Sequence, residues 1–109
     1  GAGLVSTDGK LVRDRIPDII RANGEEPIIY QADPVEYRRR LREKLLEEVD
    51  EFLNADPTSA VEELADVLEV VFALAADLGT DRPTLEQLRQ AKAAERGAFA
   101  DRLVWLGIR

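Results

Sequence analysis

Carboxylates are the residues of this chain best placed to do chemistry. Glu47-Glu48-Val49-Asp50-Glu51 is followed downstream by Glu63-Leu64-Ala65-Asp66. Glu48/Glu51 and Glu63/Asp66 are each spaced i, i+3, so on a helix the members of each pair are surface neighbours. At about 100° per residue, the first helix gathers Tyr37, Leu41, Leu45, Val49, Phe52 and Leu53 into one apolar stripe. Glu48 falls inside that stripe and Glu51 at its edge, while Glu47 and Asp50 point outside it. The second helix centres on Val61, Leu64, Leu68, Val71, Phe72, Ala75 and Leu78, flanked by Val67, Val70 and Leu74. Glu63 projects into that flank and Asp66 lies just beyond it. Carboxylates turned into a bundle are costly unless they protonate or are compensated. A divalent cation shared by acids on facing helices is one compensation that helix bundles use. The other reading is a solvated face, because 22 of the 109 residues are Asp or Glu and pairs at this spacing arise by chance. Spacing alone leaves both open.

Residue types that are missing narrow the chemistry further. There is no Cys and no His, which removes thiolate nucleophiles, disulfides, imidazole bases and the usual zinc ligand sets. Catalysis is left to carboxylates, Lys, Arg, Tyr and hydroxyls, and a metal would be a hard, oxygen-liking one. A net charge of −7 argues against a duplex nucleic acid partner. It is compatible with phosphate substrates, since an acid cluster loaded with a divalent cation presents positive charge to an anion.

The elements that must position these acids are helical. Residues 1–9 lack periodicity and are expected to be a flexible start, followed by one domain over 10–109. Pro17 suits the first turn of a short helix that Asn23-Gly24 ends. Asp33-Pro34-Val35-Glu36 is a cap, a first-turn proline and a Glu three residues on, predicting a helix to about Asn54. Asp56-Pro57-Thr58-Ser59 breaks it. Ser59 with Glu62 is expected to start the second long helix, which reaches about Leu78. Thr84 with Gln87 repeats that signature for a third, ending near Gly97. Residues 28–32 and 102–106 are β-prone and are expected to pair as short strands. The fold class is thus an all-α bundle with a trace of sheet. At 109 residues, 45% hydrophobic and 34% charged, the chain reads as one globular domain with a thin core. It shows no apolar run long enough for a membrane and no leader-like opening, so the cytoplasm is the expected location and no membrane partner is expected.

The two acid segments together resemble the EExxE…ExxD signature of the all-α nucleotide pyrophosphohydrolases, the MazG-like superfamily. Lys10-Leu11-Val12-Arg13-Asp14-Arg15-Ile16-Pro17 resembles the opening of its compact phosphoribosyl-ATP pyrophosphohydrolase-like subgroup. Lys44-Leu45-Leu46-Glu47-Glu48 is similar to the lead-in to its first motif, and Lys92-Ala93-Ala94-Glu95-Arg96-Gly97 to the end of its third helix. The likeness runs from Lys10 to Trp105. It implies a MazG-like bundle in which Glu48, Glu51, Glu63 and Asp66 bind Mg²⁺, with Mn²⁺ as a substitute. It further implies cleavage of the α–β phosphoanhydride bond of a nucleoside triphosphate, non-canonical ones included, to a monophosphate and pyrophosphate.

Within that implication, Glu47 or Glu51 is the candidate for orienting or deprotonating the attacking water. Lys92 and Arg96, four apart on one helical face, are candidates to clamp the phosphates, with Arg13 and Arg15 behind them; surface ion pairs are the competing role for all four. Lys44 is expected on the surface or in an ion pair. Trp105 and Tyr30 are expected to pack in the core rather than stack on a base. Two alternatives accompany this reading: phosphoribosyl-ATP hydrolysis in histidine biosynthesis, and a non-catalytic nucleotide-sensing helical dimer. A homodimer or a dimer of dimers is expected, because so few helices leave apolar faces in need of cover.

Overall fold

Asp33 starts the principal helix as its sequence requires: its side chain accepts a 2.8 Å hydrogen bond from the Glu36 amide, with Pro34 in the first turn. In the computed structural model, which describes residues 9–109, this helix is α2 (Pro34–Leu53). It follows α1 (Ile16–Ala22) and precedes α3 (Ala60–Asp77) and α4 (Arg82–Arg96). The chain is all-α over the described residues. The expected flexible start lies outside them, apart from Gly9.

Two helix starts differ from expectation. Ser59 and Glu62 form no capping box, for Ser59 is itself in helical conformation and makes no side-chain cap. Asp56 acts instead, its carboxylate accepting from the Thr58 and Ser59 amides, each at 3.1 Å, and from both hydroxyls. Likewise Thr84 and Gln87 do not begin α4. Asp81 caps it, accepting from the Thr84 amide at 2.9 Å, with a proline in the first turn. In both places a carboxylate three residues upstream accepts from the amide of the residue expected to be the cap, so the turn begins earlier. Helix ends follow the glycines. Gly79 (φ +84) takes the left-handed conformation that lets the Thr80 amide turn back to the Ala75 carbonyl at 2.8 Å, a Schellman closure.

The expected strands are absent. No strand occurs among the described residues: 28–32 and 102–106 have no regular structure, and Arg102 is in the left-handed region (φ 57). Their large side chains stay in solvent: Ile28 is 83% and Trp105 81% exposed, the Trp105 indole donating to the Gly107 carbonyl at 2.9 Å. Tyr30, too, is an exposed residue and not a core one; its hydroxyl donates to Glu36.

The core lies between α2 and α3. Arg38 near the start of α2 bonds Asp77 at the end of α3 (3.1 Å), while Glu48 late in α2 meets Glu63 early in α3. The two helices are therefore antiparallel. Leu41 on α2 and Val70 on α3 are buried between them. The side of α3 turned to α2 is the Glu63–Val67–Val70–Leu74 flank; of the expected centre, Ala75 is buried and Val71 and Phe72 half-buried, whereas Val61, Leu64, Leu68 and Leu78 are exposed. α3 is apolar on nearly every side, so one partner helix cannot cover it. α4 meets only the end of α3, through Arg82 stacked over the Phe72 ring at 4.3 Å, and does not pack on α2. The Cα radius of gyration is 18.2 Å, against about 13 Å for a compact chain of this length. No described helix is long and apolar enough to cross a membrane.

Candidate metal centre

Two helix faces converge on the acids. Glu48 points from the buried line of α2, and Glu63 and Asp66 stand one turn apart on the α2-facing side of α3. One carboxylate oxygen from each of these three lies within 4.8 Å of the others. Oxygens held at about 2.0–2.6 Å from a Mg²⁺- or Ca²⁺-class cation stand roughly 4–5 Å apart across it, so the spacing fits such an ion. Glu48 is the one buried charged residue described, 8% exposed. Its Oε2 and the Oε2 of Glu63 are both buried without a hydrogen-bond partner. Such orphaned oxygens carry the full cost of desolvation. Burial first, then the charges of Glu51, Asp66 and Glu48, raise the Glu63 carboxyl above the ordinary glutamate range. A divalent cation would supply both the missing partner and the opposite charge.

Glu51 sits one turn beyond Glu48, near enough to act on Glu63 yet outside the converging three. Glu47 lies outside the converging three and is held by two ammonium groups, Lys44 at 3.3 Å and Lys10 at 3.6 Å. Lys44 reaches Glu48 as well, 3.3 Å to Oε1, as its i, i+4 spacing allows. It is half-buried and serves as an ion-pair partner.

Of the four cations chosen for phosphate binding, the structure brings one to the acids. Arg13 donates to Asp66 Oδ1 at 2.7 Å, from 53 residues away in sequence. Arg15 is exposed. Lys92 and Arg96 form no ion pair or hydrogen bond with any described residue; they stand exposed on α4, away from the hairpin. Lys44 takes the ion-pair role expected of it, and Lys10 is the cation at the acids that was not foreseen. Lys44 carried a signal in its i, i+3 and i, i+4 acids, whereas Lys10 lies in a segment without periodicity.

Comparison with known proteins adds little to this geometry. No family model matches the chain, and no solved structure matches it. An uncharacterized protein of Mycolicibacterium smegmatis (strain ATCC 700084 / mc(2)155) is 49% identical over 51 residues. That stretch is 47% of this chain and 52% of the relative, so the match spans about half of each.

Proposed function

We propose that this chain is a Mg²⁺-dependent nucleotide pyrophosphohydrolase of the MazG-like superfamily, working in the cytoplasm as a homodimer or a dimer of dimers. Its substrate is a nucleoside triphosphate, non-canonical ones included. Water adds to phosphorus as the α–β anhydride bond breaks, releasing monophosphate and pyrophosphate. The observation that carries this reading is the convergence of Glu48, Glu63 and Asp66 around two buried carboxylate oxygens that have no partner.

A bound Mg²⁺ (or Mn²⁺) would offset the charge that develops on the phosphates and make water more acidic. The chain's residues do the rest. Glu48, Glu63 and Asp66 would hold the ion, with Glu51 completing the set from the next turn. Glu51 also orients the attacking water and accepts its proton. It suits that role better than Glu47, whose carboxylate is engaged by Lys10 and Lys44. Lys44 orients Glu48 by pairing with its Oε1 at 3.3 Å. Arg13, at the rim, exchanges Asp66 for a phosphate oxygen as substrate arrives.

Incubation of the pure protein with a panel of nucleotides and Mg²⁺, scored by pyrophosphate release, tests this. We expect metal-dependent turnover that falls at least about a hundredfold in Glu48→Gln and in Asp66→Asn, the scale of loss seen when a group that stabilises the transition state is removed. Far-UV circular dichroism checks that both variants stay folded. Nucleotide binding without turnover would replace the enzyme with a sensor. Turnover unchanged in both variants would remove the site.

A further inference from the structure

Past Gly97 the chain turns at Phe99–Arg102, the Arg102 amide donating to the Phe99 carbonyl at 3.2 Å, and runs on without helix or strand as an arm carrying six large, exposed apolar side chains. Phe99, Leu103, Val104, Trp105, Leu106 and Ile108 are each between 81% and 95% exposed. The helix before it, α4, is almost wholly exposed too. We infer that α4 and this arm of one copy lie across the outer face of the α2–α3 hairpin of a second copy, and reciprocally. The inference rests on the two-copy assembly proposed above and says which surfaces make it.

The receiving face is the outer stripe of α3. Val61 is 75%, Leu64 48% and Leu68 50% exposed, opposite the flank that packs on α2. A helix apolar on both sides needs cover on both. Within one copy, α4 covers only the end of α3.

Area and charge both favour a second copy as the occupant. Two aromatics at about 150–250 Å² each, with four aliphatics, present on the order of 700–900 Å² of apolar surface. A stable interface uses about 800 Å² per partner. Residues 82–109 hold six cations and three acids, a net +3, which leaves −10 on residues 1–81. Like copies therefore meet with opposite charge when arm meets hairpin. Lys92 and Arg96 gain by this docking the acidic surroundings they lack in a single copy. An arm folded back on its own α3, or a different protein seated on it, would serve the same apolar surface; the test separates these.

Trp105 is the only tryptophan and the chain has no cysteine, so both probes report unambiguously. Sedimentation of the full chain is followed alongside Trp105 emission on dilution. Leu106→Cys and Leu68→Cys chains are then mixed and oxidised. We expect a dimer with blue-shifted emission, a red shift as it dissociates, and a Leu106→Cys/Leu68→Cys disulfide joining two copies. Phe99→Ser with Leu106→Ser should weaken dimerisation at least tenfold with helicity unchanged. A monomer at high concentration overturns both this inference and the proposed assembly, leaving the pyrophosphate assay to judge the chemistry. A dimer whose Trp105 emission remains that of a hydrated indole overturns the arm exchange alone. So does a disulfide that forms within single copies of the double variant at all dilutions.

Discussion

The α2–α3 hairpin and the α4 arm are helical regions of similar propensity that do opposite things with their side chains. The hairpin buries Leu41 to 2% exposure and turns a carboxylate, Glu48, into the same seam. The α4 arm buries no side chain, and its one contact with the hairpin's charges and rings is made by Arg82, against Glu69 and Phe72. Stability and site chemistry therefore belong to the first region, and unsatisfied apolar surface to the second. The contrast teaches that a helical hairpin with one well-packed seam can hold a charged site before the rest of its surface has been covered.

Matched truncations break or sharpen this contrast most strongly. Leu41→Ala removes side-chain volume from the seam and should cost about 2–5 kcal/mol, a loss read by chemical denaturation. Phe99→Ala, at 95% exposure, should leave the stability of an isolated copy within about 0.5 kcal/mol. Equal losses would mean that the arm is folded into the same cooperative unit as the hairpin.

The metal gives the next largest effect, confined to the hairpin. A ligand that binds only the folded chain stabilises it by about 2.7 kcal/mol at a hundredfold its Kd. Mg²⁺ should thus raise the melting temperature of the wild-type chain. Glu63→Gln should melt higher than the wild type without metal, because it removes an uncompensated charge, and should gain little from Mg²⁺. A Glu63→Gln chain that melts lower without metal and still responds to Mg²⁺ would place the ion elsewhere.

How legible this division was in the sequence depended on how one-sided each helix is. The α2 stripe was readable because its far side is charged, so the wheel correctly turned Glu48 inward. α3 was harder to read: with apolar residues on nearly all sides, periodicity centred the stripe on Val61, Leu64 and Leu68, which are exposed, while Ala75 of that stripe and Val70 of its flank are the residues buried. Pairing at i, i+4 made Lys44–Glu48 foreseeable. Nothing local could reveal Arg13–Asp66, whose partners meet only through tertiary structure. Ser59 and Thr84 carried the letters of a capping box, but Asp56 and Asp81 stood upstream with stronger acceptors. The β-prone runs show propensity without partners, which is insufficient for a strand.

The smallest effect, a pH dependence, separates the two regions by sign. Asp81, through Thr84, and Glu86, through Arg89, are held below their ordinary values at the start of α4. For such acids the unfolded chain binds protons first as pH falls, so their stabilisation is present above the ordinary value and lost on acidification. Glu63 is shifted the other way by burial and by its acidic neighbours, from an ordinary 4.5 upward. Between 4.5 and its raised value the folded chain keeps a proton that the unfolded chain has released, so stability falls as pH rises through that window. Denaturation in chelator from about pH 3 to about pH 8 should therefore show an acid-side loss and a separate loss above pH 4.5. Glu63→Gln should flatten the second limb and leave the first unchanged, and Mg²⁺ should flatten it in the wild type, since the ion takes the place of the proton among the hairpin acids. A second limb that survives both changes would move the strained charge out of the hairpin.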